Sequence, residues 1–299
     1  MRRLICLGIL LIMAGPSWAE GEWHGWVSGE YRYFNHDPLE PDQEVHYWSL
    51  ATQPEYYQEW DGGDTSFTFT PFVRWDRHDE RRSHADIREL HGFWYLDDIQ
   101  LVAGISRVFW GVTESVHLVD IINQTDTFEG VDGEEKLGQP MLHGTWSRDW
   151  GDLDLFALYG FRERQFAGSK GRIRSPLLVD VDNPVYESDQ ENHHIDYAAR
   201  WSRSFDIWDV GLSYFYGTSR DPRLERGLND SGEPVLIPYY DLINQVSIDT
   251  QVFIGDWTWK LEALNQRRKD EIYSAAVGGF EYTFVGIFDT NADLGTLVE

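Results

Sequence analysis

Two sets of charged and polar residues carry most of the chemistry this sequence offers. Arg32, Arg74, Arg88, Arg162, Arg200 and Arg268 each lie where apolar and polar residues alternate, at the polar parity. In extended backbone alternate side chains share a face, so parity puts all six on one face, and a one-residue slip would reverse each assignment. A guanidinium is always charged and presents a planar fork of donors that matches an anion with two oxygens. The second set follows Trp110: Glu114, Asp120, Asn123, Asp126 and Glu129, with Asp132, Glu134 and Glu135 behind them. Carboxylates facing arginines across a gap make a transverse field, and such a field sorts passing solutes by charge and dipole. Two plainer readings stand beside this one. The arginines can simply neutralise wall carboxylates, and the acidic segment can remain outside as a solvated loop.

Other chemistries find little support. The chain contains no H-E-x-x-H, no G-x-S-x-G and no glycine-rich phosphate loop. No catalytic residue, resident metal or cofactor is therefore expected. His143 and Ser147 share a face, but four residues of extended chain separate them by about 13 Å. His193 and His194 are neighbours and point to opposite faces. His78 and His84 flank a tip holding Asp79, Glu80 and Asp86, a weak surface arrangement for a metal ion. The single cysteine, Cys6, lies in the leader, so no disulfide is expected after it. A formal charge of −26, from 51 acidic and 25 basic residues, excludes nucleic acid as a partner.

The elements that must position these residues read as strands. Residues 1–19 have the form of a signal peptide. Arg2 and Arg3 precede an apolar stretch from Leu4 to Ala14, too short to span a bilayer, and Ser17-Trp18-Ala19 offers the cleavage site. Beyond it period-2 alternation repeats in twelve segments: 23–34, 49–60, 65–77, 84–96, 99–109, 139–149, 152–163, 194–205, 207–218, 239–255, 257–268 and 273–287. In 65–77, Phe67, Phe69, Pro71, Val73 and Trp75 oppose Ser66, Thr68, Thr70, Arg74 and Asp76. Such lengths suit tilted membrane strands, which need about 9 to 11 residues. Aromatic residues make up 15% of the chain and gather at segment ends, as in Trp208/Tyr216 and Trp257/Trp259, where an interfacial girdle belongs. Mean hydropathy is only −0.47, which excludes a bundle of membrane helices.

Connections alternate as well. Asp61 to Asp64, Asp97-Asp98, Trp150-Gly151, Asp206 and Gly255-Asp256 are short; 35–48, 110–138, 164–193 and 219–238 are long, with the polar hairpin tips 78–83 and 269–272 as exceptions among the second group. Turns at one end and loops at the other describe an antiparallel up-and-down transmembrane β-barrel. The fold expected for residues 20–299 is thus all-β, with 12 to 13 strands visible. The tail from Ala292 reads as a thirteenth strand, and Leu297-Val298-Glu299 lacks a terminal aromatic. Bacterial single-chain barrels have even strand numbers, so the expectation is a barrel of about 14 to 18 strands truncated at its C-terminus.

The segment Gly104-Ile105-Ser106-Arg107-Val108-Phe109-Trp110-Gly111-Val112-Thr113-Glu114-Ser115, followed by Asp120-Ile121-Ile122-Asn123-Gln124-Thr125-Asp126, resembles porin-like outer-membrane proteins of proteobacteria. In these a strand ending in W-G runs into a long loop carrying D-x-I-N. Phosphate-selective porins and alginate-export-type barrels are broadly similar there. Pro54 to Tyr57, Phe67 to Trp75 and Ala85 to Leu90 resemble an uncharacterised branch of that group. The resemblance spans most of the chain in pattern and about 35 residues in motif. It implies an outer-membrane location, contact with membrane lipid and lipopolysaccharide, passive passage of small hydrophilic solutes, no enzyme activity, and homo-oligomerisation as an option. A non-conducting structural or adhesion barrel, or a barrel hydrolase, are the competing readings.

Overall fold

The computed structural model describes residues 21–130, 133–269 and 271–299. The leader expected over 1–19 and the loop residue Asp132 lie outside them. Among the described residues thirteen strands form one antiparallel sheet. They are β1 (Glu22–Tyr33), β2 (His46–Trp60), β3 (Thr65–Asp76), β4 (His84–Leu96), β5 (Ile99–Ser106), β6 (Gln139–Arg148) and β7 (Gly151–Leu158). A short β8 (Val185–Tyr186) stands apart, and the sheet resumes with β9 (Asp196–Phe205) and β10 (Trp208–Thr218). The hairpin β11 (Arg223–Leu228) and β12 (Pro234–Tyr240) pairs with β8 in a second, three-stranded sheet. The main sheet ends with β13 (Leu242–Ile254), β14 (Trp257–Arg268), β15 (Glu271–Phe284) and β16 (Leu294–Val298).

Main-sheet strands pair with their sequence neighbours, which gives the expected meander. Tight turns join them at one end. At Asp97 and Asp206, with φ of 53° and 54°, the chain enters the left-handed region, which aspartate tolerates better than most residues. At the other end run the long connections 34–45, 107–138, 159–195 and 219–241. Among the described residues β1 and β16 do not pair with each other.

The sheet is rolled. Arg88 of β4 and Glu262 of β14, on the fourth and eleventh strands of the sheet, grip opposite ends of one segment, residues 112–126. Strands that far apart hold one segment from one face only if that face is concave. Inside are Arg74, Arg88, Asp249, Lys260 and Glu262, all buried; outside are Val27, Leu50, Val73, Leu155, Val246 and Leu261, all exposed. Exposed rings mark both ends of the outer face. Trp208, Trp257 and Trp259 sit beside the short turns, and Tyr31, Tyr33 and Trp48 sit at the long-connection end. No helix among the described residues is long and apolar enough to cross a membrane.

Several expected boundaries shift, and three of the shifts bear on the site. The strand expected over 99–109 stops at Ser106, because the chain turns inward and Val108 N–H donates to the Asn123 side chain at 2.8 Å instead of to a neighbouring strand. The segment 152–163 stops at Leu158; Phe161 N–H is taken by Asn192 O at 2.8 Å, so Arg162 lies in a connection. The strand expected to start at 239 starts at Leu242, since Tyr239 and Tyr240 close the β11–β12 hairpin. That hairpin and β8 were not expected at all.

Candidate functional site in the interior of the sheet

The described residues of the segment 107–138 fold inward. Val119, Ile122, Asn123, Gln124 and Asp126 are fully enclosed. Its first half packs an apolar cluster onto the inner wall: Trp110, Val119 and Ile122 meet Met141, Phe156, Leu158, Phe215 and Ile243. A buried carboxylate holds its tip. Glu262 accepts the N–H groups of Val112 (2.7 Å), Thr113 (3.0 Å) and Val119 (3.2 Å), and the Thr113 hydroxyl at 2.7 Å. The approach requires glycine before it. Gly111 has a φ of 131°, and a Cβ there would lie 2.7 Å from Glu262 Oε1. Asn123 closes the base of the loop, donating to Ser106 O and Leu137 O, each at 2.9 Å.

The six arginines expected to face inward all meet polar partners, in two kinds of environment, Arg162 doing so from a connection. Arg74 and Arg88 are almost sealed. Arg74 grips Glu129 and donates to Ser49 Oγ at 2.8 Å; Arg88 pairs with Asp126 and, at 3.1 Å, with Asp86. The Arg88 guanidinium also lies 4.4 Å above the Phe72 ring. A register shift between Thr70 and Pro71 lets Glu89 face inward beside Arg88, where it receives Thr70 Oγ1 at 3.4 Å and Arg107 at 3.3 Å. Arg200 pairs with Asp249 at 2.8 Å. Arg32 pairs with Glu30, Arg162 with Asp86 at 2.8 Å, and Arg268 donates to Ser219 Oγ at 2.8 Å. These last three keep 33%, 28% and 20% of their side chains accessible.

The loop acids are likewise engaged. Asp126 and Glu129 hold the loop to β4 and β3; Asp120 pairs with Lys136 at 3.0 Å; Glu114, more than half exposed, pairs with Lys260 at 2.7 Å. Burial, the largest influence on Asp126, would raise its carboxyl, but the neighbouring His84 ring and Arg88 guanidinium outweigh it and hold the group at about 2. At Asp120 burial wins and lifts the carboxyl above the usual range, despite Lys136.

Several anchors carry no obvious sequence signal. Arg82 donates to Asp76 (2.8 Å), Glu30 (2.9 Å), Ser49 Oγ (3.0 Å) and Phe128 O (3.1 Å) from a turn, where alternation assigns no face. Arg220, also in a connection, donates to Ile122 O at 2.9 Å and to Asp196 at 2.5 Å. Glu262 and Lys260 were within reach of parity, since Trp257, Trp259 and Leu261 define the outer face of the same strand.

Two other arrangements bear on chemistry. His143 Nε2 lies 2.8 Å from Asp154 and 3.1 Å from the Thr145 hydroxyl, but that hydroxyl donates to Asp154 at 2.6 Å and leaves the ring no nucleophile to activate. Potential ligand atoms of His84, Asp126 and Glu129 lie within 4.8 Å of one another. Arg74 and Arg88 already neutralise both carboxylates, so a divalent ion there would face two guanidinium groups.

No family model matches the chain. No curated protein matches it. Solved structures similar to it include an outer membrane protein and a porin. OmpT of Vibrio cholerae, an outer membrane protein in trimer form, is 10% identical, with a TM-score of 0.44, covering 88% of this chain and 72% of its own. A mutant of the Rh. blastica porin is 11% identical, with a TM-score of 0.32 over 88% of this chain and 90% of its own. A second mutant of that porin is 13% identical, with a TM-score of 0.33 over 92% and 98%.

Proposed function

We propose that this protein is a porin-like channel of the bacterial outer membrane, through which small hydrophilic solutes diffuse passively. The observation that carries this reading is the inside-out distribution of polarity in the rolled sheet. Charged side chains fill the interior, while the outer face exposes valine, leucine and aromatic rings. Water penalises such an outer face and hydrocarbon does not. In this reading the leader over 1–19 directs export, lipid and lipopolysaccharide surround the wall, and copies of the chain are free to assemble. The loop 107–138 narrows the passage. Arg32, Arg162 and Arg268 act on solutes because they remain accessible, whereas Arg74, Arg88 and Arg200 chiefly hold structure.

One observation favours a second reading. The apolar cluster around Trp110, Ile122 and Phe156 fills part of the interior with side chains a hydrophilic solute gains nothing by touching. A plugged, non-conducting barrel would look the same at that level.

The experiment is single-channel recording of the protein inserted in planar bilayers, after gel migration with and without boiling has established a folded barrel. Stable conductance supports the channel. Heat-modifiable protein that inserts without conducting moves the assignment to the plugged barrel, and recovery as a lipid-free periplasmic protein removes both.

A further inference from the structure

A cavity of about 460 Å³ opens among the long connections. Segments 164–179 and 125–130 line it with Gly133, together with the long-connection ends of β1, β2 and β3. Phe34, Phe128, Phe166, Leu177 and Leu178 give it apolar walls. Its charged lining is five arginines against three carboxylates, a positive excess in a chain whose formal charge is −26.

The three carboxylates are already engaged. Asp76 accepts from Arg82 and from the N–H of His78 at 2.9 Å. Asp79 accepts the N–H of Gly168 at 3.2 Å and of Arg81 at 3.1 Å. Glu129 is held by Arg74. Two of the arginines are not so satisfied. Arg172 donates to the carbonyls of Glu44 and His36, at 3.1 and 3.0 Å. Arg174 donates to the carbonyls of Ser175 and Pro176, and its nearest carboxylate, the half-exposed Glu40, is 3.8 Å away. Arg174 keeps only 11% of its side chain accessible, and its Nε is buried without a hydrogen-bond partner. Gln165, on the same lining, has a buried Oε1 that is equally unpartnered. Buried polar atoms are nearly always hydrogen-bonded, so an orphan donor and an orphan acceptor on one cavity point to a ligand that supplies both complements.

We propose that this cavity binds a small organic acid. Its carboxylate pairs with Arg174, supported by the positive charge of Arg172, whereas Arg164 is already paired with Asp221; its apolar or aromatic body lies against Phe128 and Phe166; a hydroxyl on that body donates to Gln165. An inorganic anion would match the charge but leave the apolar walls unused. The proposal deepens the channel reading by naming the class of solute, and it rests on that reading only for the solute's onward passage.

The test uses the full chain, folded in detergent, and equilibrium dialysis against 4-hydroxyphenylacetate, its neutral amide, phenylacetate and inorganic phosphate. The hydroxy acid binds; the amide and phosphate bind at least about tenfold more weakly, the scale of one lost charge-assisted hydrogen bond. Arg174→Gln weakens the acid by about tenfold or more on the same scale. Gln165→Leu weakens 4-hydroxyphenylacetate and leaves phenylacetate unchanged. Equal binding of acid and amide overturns the proposal, as does equal binding of phosphate or full affinity in Arg174→Gln. Should Arg174→Gln fail to fold, Gln165→Leu with its paired ligands decides alone. A conducting pore that binds no acid removes this proposal and leaves the channel; a barrel that binds the acid without conducting does the reverse.

Discussion

One carboxylate oxygen of Glu262 accepts both the N–H and the hydroxyl of Thr113, at 3.0 and 2.7 Å, across the interior of the rolled sheet. That contact ties the tip of the inward loop to a wall strand far from the strands that hold its other half. Whatever the loop obstructs, Glu262 keeps it there.

Glu262→Ala leaves the N–H groups of Val112, Thr113 and Val119 without their acceptor, and each buried donor so abandoned costs about 1–3 kcal/mol. The barrel is expected to survive, because the strands do not depend on the loop tip. Single-channel conductance is expected to rise and become noisy, and limited proteolysis to cut near residues 111–119. A variant with wild-type conductance and no new cleavage would show that the loop does not narrow the pore.

Arg88 and Asp126 are expected to behave as a unit. Arg88→Met strands a buried carboxylate, which costs about 3–5 kcal/mol. Adding Asp126→Asn removes the uncompensated charge and should recover most of the loss. Urea unfolding of the four proteins in detergent, followed by heat-modifiable migration, reads the cycle; equal and additive losses would contradict the pairing.

Acid sensitivity should trace to Asp126. Its carboxyl is held at about 2 against an ordinary 3.8, so the folded state binds the proton less readily than the unfolded one. The stabilisation is complete above about pH 4 and is lost as pH falls through about 2. Asp126→Asn is therefore expected to flatten the acid limb of the stability profile in that window. Asp120 has the opposite sign, since burial raises its carboxyl and protonation relieves the buried charge. Asp120→Asn should leave the acid limb in place. A wild-type acid limb in Asp126→Asn would refute the assignment.

Accessibility divides the arginines by function. Arg32, with 33% of its side chain accessible, should act on solutes, whereas Arg88, with 1%, should not. Arg32→Glu is expected to move the zero-current potential in a salt gradient toward cation preference, most at low ionic strength, where screening is weakest. An unchanged potential would remove Arg32 from selectivity.

Alternation in the sequence was enough to define the meander and the apolar outer face, because strand side chains alternate strictly and one face must suit a different solvent from the other. Short and long connections likewise declared their ends. Those signals are local, and they fail where the backbone leaves extended geometry. Arg82 and Arg220 sit in connections without parity, and β8 is two residues long, β11 rich in charge and β12 apolar throughout, so none of the three shows clean alternation. Whether the acidic segment stayed outside or turned inward was open in the sequence. Tertiary structure decided it through residues distant along the chain: Glu262 offers one carboxylate to three backbone N–H groups, and Arg74 and Arg88 neutralise Glu129 and Asp126. Buried charges and backbone donors are stable only when paired, and the rolled sheet alone brings those partners within reach.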